Sequence, residues 1–264
     1  MEYYAGMFDA EGCVSLTPEG SVKIRLNNTW EDVPNLFKEK FGGIVYKEPH
    51  RKKKIIYSWY LNSENTNEFC NQMTPRCLVK GMQLQLIFDY RNSTRVIRRE
   101  IRPDTVHAIA SLKKPIQVNK DFFCNPCTII PDESFYKWLA GFIEGDGSIR
   151  LYEQSGAPNV FSTYIGASNT FADPIQHIYQ RINGGITRTK QPPHLMWKWC
   201  CAEKSAKSLL ISLIPHLRVK KNAAELVLEF IKIRETRGWH EPYTHDQINR
   251  IRDIISTIKH YNSL

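Results

Sequence analysis

The feature that most constrains this chain is an internal repeat. The segment Tyr4-Ala-Gly-Met-Phe-Asp-Ala-Glu-Gly12 returns as Leu139-Ala-Gly-Phe-Ile-Glu-Gly-Asp-Gly147. Both copies run: large apolar residue, Ala, Gly, two apolar residues, acid, small residue, acid, Gly. A strand-like stretch follows each, Cys13–Thr17 and Ser148–Tyr152. Further landmarks recur in the same order: Gly42-Gly43 with Gly184-Gly185, Trp59 with Trp199, Pro75 with Pro215 and Lys80 with Lys220, the Trp-to-Lys interval being the same in both halves. A repeat of this length implies two copies of one supersecondary unit stacked against each other.

Each half reads helix, strand, strand, helix, strand, strand, helix, helix, an α+β pattern. The second strands are Val22–Asn28 and Phe161–Ser168, and a helix opens near Asp32 or Asp173, since an acid suits a helix start. The Gly-Gly pairs mark turns into third strands. Long helices with apolar residues at helical period are expected over Lys80–Ile97 and Val219–Glu235. The expected boundaries are 1–97 and 134–238 for the two halves. A connector, 98–133, holds a short helix at Pro103–Leu112, and a tail, 239–264, holds a helix at Thr244–Tyr261. The last two helices form a weaker element of the repeat.

Glycine inside a helix costs about 1 kcal/mol relative to alanine, so Gly6 and Gly141 need a reason. Close approach of two helix backbones supplies one. If the copies pack about a pseudo-twofold axis, both helix ends meet and carry Asp9 and Glu11 beside Glu144 and Asp146. Carboxylates at a helix C-terminus face the negative end of the dipole and, here, one another. A divalent cation reverses that balance, and oxygen ligands suit Mg²⁺. Such a centre can assist phosphodiester cleavage.

Charge points the same way. The 36 Lys+Arg against 27 Asp+Glu give a net charge of +9, which favours a polyanionic partner. A hydrophobic fraction of 42% with 11% aromatics excludes a disordered chain. No stretch reaches the eighteen or more apolar residues of a membrane helix, and Met1-Glu2-Tyr3-Tyr4 leads into a patterned helix rather than a signal peptide. Seven cysteines, odd in number and irregular in spacing, suggest no disulfide framework and a reducing, intracellular setting. Cys124-Asn-Pro-Cys127 has zinc-knuckle spacing without a second Cys/His pair.

The two segments resemble the LAGLIDADG homing endonucleases, in the single-chain form with two motifs. The resemblance covers about residues 2–97 and 134–238. It implies αββαββα halves, antiparallel sheets forming a DNA-binding saddle, and the motif helices at the interface. The eighth motif position, Glu11 and Asp146, would ligate the metal. The sixth, Asp9 and Glu144, would support the helix interface. Pro75-Arg-Cys-Leu-Val-Lys80 and Pro215-His-Leu-Arg-Val-Lys220 match the family's lysine near each active site, so Lys80 and Lys220 would act electrostatically. A polar residue after the second strand positions water; the matching residues are Asn28 and Asn169, where the family often has Gln.

Laid along the major groove, the sheets would read base edges through alternate residues. In the first half these are Ser15, Thr17, Lys23, Arg25 and Asn27, with Cys13, Val14 and Leu16 as packing residues. In the second half they are Arg150, Tyr152, Gln154, Ser162, Tyr164 and Ser168, joined by Arg188 and Lys190 on the third strand. Arg51, Lys52 and Lys53 mark a hairpin tip for phosphate contact. Trp59, Trp197 and Trp199 read as core.

The function so implied is Mg²⁺-dependent double-strand cleavage of one long asymmetric DNA site, leaving 3′ overhangs, by a monomer encoded within a mobile intron. The rival is an RNA maturase whose partner is intron RNA; both metal acids are present, which favours cleavage. An intein-embedded nuclease is disfavoured, because the chain starts with Met and lacks a terminal His-Asn. The resemblance also implies an organelle, mitochondrion or chloroplast, as its place.

Overall fold

The computed structural model describes residues 1–49, 55–116, 118–123, 126–191, 194–236 and 241–263. The chain is α+β, with two four-stranded antiparallel sheets and ten helices among the described residues. The first half comprises α1 (Glu2–Glu11), β1 (Gly12–Leu16), β2 (Val22–Asn28), α2 (Asp32–Phe41), β3 (Ile44–Pro49), β4 (Ile55–Tyr60), α3 (Thr66–Met73) and α4 (Gly81–Asn92). After α5 (Arg95–Leu112), the second half repeats the order: α6 (Glu133–Asp146), β5 (Gly147–Glu153), β6 (Phe161–Asn169), α7 (Ala172–Tyr179), β7 (Gly184–Gln191), β8 (His194–Cys201), α8 (Glu203–Leu213) and α9 (Lys221–Glu235). The chain closes with α10 (His245–Ser263). The sheets have identical topology, β1-β2-β4-β3 and β5-β6-β8-β7. The duplication is thus structural as well as sequential.

Each sheet has one face on the core. In β1 and β2 the residues Val14, Leu16, Ile24 and Leu26 are buried, and in β5 and β6 so are Ile149, Leu151, Ile165 and Ala167. Alternation turns the intervening residues outward. Trp59, Trp199 and Trp197 are buried on the helix side, in keeping with the sequence reading. Trp59 packs on Phe37 and Phe69 of the covering helices, with ring centroids 5.2 and 5.7 Å away.

One helix boundary departs from expectation. Lys80–Ile97 is not a single helix: α4 stops at Asn92, Ser93 is extended (φ −73°, ψ 155°), and Thr94 caps a new helix by accepting a bond from the Ile97 N–H. That helix, α5, runs through Pro103 rather than starting there. The carbonyl left without a donor by the proline ring belongs to Arg99, an exposed residue, so water can satisfy it. α5 packs on α4 and β1, and α10 packs correspondingly on α9 and β5.

Candidate active site

The centre of the molecule is the crossing of α1 and α6, the most extensive contact between any two elements. A Cβ built on Gly6 would lie 1.9 Å from the Trp138 carbonyl oxygen, and one on Gly141 would lie 2.0 Å from that of Tyr3. The glycines therefore let the two backbones touch. Nearer the helix ends, a Cβ on Gly145 would lie 2.4 Å from the Ala10 Cβ and 3.0 Å from the Glu11 Cγ. The acid-bearing ends of the two motifs abut.

Two hydrogen bonds cross this interface in mirrored fashion. The Trp138 indole N–H donates to Asp9 (3.2 Å), and the Tyr3 hydroxyl donates to Glu144. The same two acids then cap the turns that precede α4 and α9. Asp9 accepts from the backbone N–H groups of Leu78, Val79 and Lys80 at 2.7, 2.8 and 3.0 Å. Glu144 accepts from those of Arg218, Val219 and Lys220 at 2.5, 2.6 and 3.1 Å. These N–H groups belong to the turns that lead into α4 and α9, whose N-cap residues are Lys80 and Lys220, and a carboxylate there faces the positive end of each helix. The sixth-position acids thus fix where the two lysines stand.

The lysines are partly buried and differently held. The Lys220 ammonium donates to the carbonyls of Ile143 (2.6 Å), Glu144 (3.0 Å) and Gly147 (2.8 Å), at the negative end of α6. Burial nonetheless lowers its pKa to about 8. Burial also lowers that of Lys80, whose ammonium lies over the Phe171 ring, 5.8 Å from its centroid.

Glu11 and Asp146 are both raised, chiefly by burial. Asp146 reaches about 7, with the neighbouring Glu11 charge as the second cause. Of the two lysines, Lys220 weighs more on Glu11 and Lys80 more on Asp146. Both lysines therefore act on both acids, the charge from the other half weighing more on each. The asparagines fall beside them. Asn169 donates to Asp146 at 2.5 Å and accepts from the Phe171 N–H at 2.8 Å. Asn28 makes the equivalent turn, accepting from Trp30 N–H at 2.8 Å, and lines the cleft of Glu11.

Two clefts open from these acids. That of Glu11, about 330 Å³, is lined by Asn27, Asn28, Trp30, Lys220 and Tyr261 among others. That of Asp146, about 850 Å³, runs onto the outer face of the second sheet past Arg150, Tyr164, Ser168, Lys198 and Lys259. The Asn27 Oδ1 is buried without a hydrogen-bond partner.

The strand residues expected to meet DNA divide. In the first sheet Ser15 pairs with Lys23, and Lys23, Arg25 and Asn27 share the outward face. Thr17 lies beyond β1 in the hairpin turn, accepting from the Ser21 N–H at 3.2 Å. Cys13, expected in the core, is on the outward face opposite Arg25, because Gly12 rather than Cys13 begins the inward row. In the second sheet Arg150, Tyr152 and Gln154 are exposed. The Arg150 guanidinium lies over Tyr164 (6.0 Å), Gln154 donates to Ser162 (2.7 Å), and Ser168 pairs with Lys198.

Arg188 is a correction. It pairs with the buried Trp197 on the opposite side of the strand and lies over that ring at 5.6 Å. The outward residues of β7 and β8 are Thr187, Lys198 and Cys200 instead. Lys190 pairs with Leu195 by backbone register; its side chain, like Arg51, Lys52, Lys53 and Cys124, lies outside the described residues. The sequence reading passed over Lys198, although its place between Trp197 and Trp199 marks it as outward.

No family model and no curated protein matches the sequence. Solved structures do match its fold. The LAGLIDADG homing endonuclease I-GzeII in complex with its DNA target is similar with a TM-score of 0.67 at 15% identity, over 97% of this chain and 96% of that one. The meganuclease I-AabMI bound to uncleaved DNA gives 0.63 at 16%, over 97% and 98%. I-SmaMI bound to cleaved DNA gives 0.59 at 15%, over 97% and 96%. At such identities the similarity shows the fold, and the chain has the single-chain LAGLIDADG fold.

Proposed function

We propose that this chain is a site-specific DNA endonuclease of the LAGLIDADG homing type, a monomer that makes a double-strand break in one long asymmetric site and is encoded within a mobile intron. The observation that carries the proposal is the meeting of Glu11 and Asp146 at one crossing, each within the influence of the other half's lysine. A chain with duplicated acids, duplicated lysines and outward strand residues that differ between halves has the parts for two strand cuts in a non-palindromic sequence.

The residues present fit Mg²⁺. The donor set is oxygen: Glu11, Asp146 and the unpartnered Asn27 Oδ1 beside Glu11. Such a cation takes one or two carboxylates and completes its shell with water and phosphate. Two partly buried acids, of which the Glu11 charge raises the pKa of Asp146, carry negative charge which a dication offsets. When bound, the cation would supply Lewis-acid stabilisation of the charge that develops on phosphate.

The chain's own groups do the rest. Lys80 and Lys220 would stand beside the scissile phosphates, where their positive charge offsets the charge that develops during cutting. Asn169 holds the Asp146 carboxylate by direct donation, and Asn28 stands in the Glu11 cleft with its carbonyl fixed by Trp30. Arg150, Lys198, Lys23 and Arg25 supply backbone and base-edge contacts along the groove. The staggered cuts leave 3′ overhangs.

Selection of cleaved molecules from a randomised duplex library in Mg²⁺ is expected to return one asymmetric site. Glu11→Gln and Asp146→Asn should each abolish cutting and leave binding within about threefold, as should chelation of the metal. Continued cutting by the doubly substituted protein would overturn the assignment.

A further inference from the structure

The tail helix α10 has no role in the site described above, yet it ends there. Ile251, Ile254 and Ile258 are buried where it packs on α9 and β5. Arg250 binds Glu229 through two bonds of 2.8 and 2.9 Å, and Arg252 reaches Glu153 at 3.1 Å. So anchored, the helix delivers its last turn to the centre of the molecule. Lys259 lines the Asp146 cleft with Arg150, Ser168 and Lys198, and Tyr261 lines the Glu11 cleft with Asn27, Asn28 and Lys220. Two residues apart on a helix means about 200° around its axis, so one turn can address both clefts.

The counterpart helix does not do this. α5 ends at Leu112, whose carbonyl accepts from Gln83 at 3.4 Å, and contributes no residue to either cleft lining. The two halves therefore differ at their centres by what α10 adds. Resting on the endonuclease reading, we propose that the last turn of α10 contacts DNA at both cleavage centres, with Lys259 holding a phosphate near Asp146 and Tyr261 donating its hydroxyl to a phosphate oxygen near Glu11. A duplex laid along both sheets must pass both acids, and the exposed Lys259 side chain stands at the mouth of one cleft.

The test uses the full-length protein and a duplex bearing its selected site, each strand carrying its own label. The strand that Asn28→Ala slows more, this side chain lining the cleft of Glu11 and not that of Asp146, defines the Glu11 centre. Tyr261→Phe is expected to slow that strand roughly tenfold while changing the other less than about twofold. Lys259→Ala should bias the opposite way and reduce the slope of log affinity against log salt by about one, and Lys259→Arg should restore both. Equal slowing of both strands would reveal a purely structural helix and overturn the proposal. So would unchanged rates, or faster cutting, which would mark the turn as a plug. If the parent protein cuts no member of the library, the endonuclease reading itself falls, and this proposal with it.

Discussion

Replacing Gly6 by alanine tests the helix crossing most directly. The added Cβ would sit 1.9 Å from the Trp138 carbonyl oxygen and 2.9 Å from the Phe142 nitrogen, both backbone atoms that no rotamer change can move. Restoring a carbon–oxygen contact of about 3.3 Å requires one helix to retreat by roughly 1.4 Å. Overpacking of this kind costs about 1–3 kcal/mol. The retreat also pulls on the Trp138–Asp9 and Tyr3–Glu144 bonds, each worth about 1 kcal/mol. Alanine returns about 1 kcal/mol of helix propensity. The net loss is about 3 kcal/mol, which for a chain of this size lowers Tm by roughly 10 °C. Gly141→Ala should match it, since its Cβ meets the Tyr3 carbonyl at 2.0 Å. Gly185→Ala, where nothing lies within 4 Å, should stay within about 1 °C of the parent. Calorimetric melting of the three variants is the assay. A Gly6→Ala protein melting within about 2 °C of the parent would refute backbone contact at this crossing.

Two further outcomes follow from the geometry. Lys220→Met should lower both stability and cutting, because it strips donors from three carbonyls at the end of α6, whereas Lys80→Met should slow cutting with a smaller loss of Tm; melting and strand-resolved cleavage separate the two. Burial against Phe135 and Trp138, with the Arg181 charge, lowers the His177 pKa from 6.5 to about 4. The unfolded chain then binds the extra proton between those values, so stability should fall as pH drops through about 6.5 towards 4, by at most about 3 kcal/mol. Urea titrations of the parent and His177→Gln should converge in slope above that window and diverge within it, and parallel profiles would refute the cause.

The helix crossing was legible because its demands are local and made twice: small residues where backbones touch, acids where helices end. The cap role of Asp9 and Glu144 was visible only as support for the interface, since their partners at Leu78 and Arg218 lie in turns with no periodic signature. Which lysine weighs more on which acid depends on how two halves rotate together, and sequence carries no such angle. Arg188 was placed wrongly because charge drew it toward DNA while register, set by Trp197 opposite, put it behind the sheet. Pro103 was read as a helix start, yet tertiary packing of α5 against α4 and β1 overrode that preference. The destination of α10 followed from nothing in its own apolar stripe, which says that it packs and not where it ends.

The crossed bonds from Tyr3 to Glu144 and from Trp138 to Asp9 join unlike donors to unlike acids. A dimer of two N-terminal halves would face a phenol with an aspartate, one methylene short of its reach, and a dimer of two C-terminal halves would press an indole against a longer glutamate. Separated at the connector and mixed, the halves carry a mutual preference, a lock cut for the other's key, that would sort them into the heterodimer and discourage either from pairing with itself.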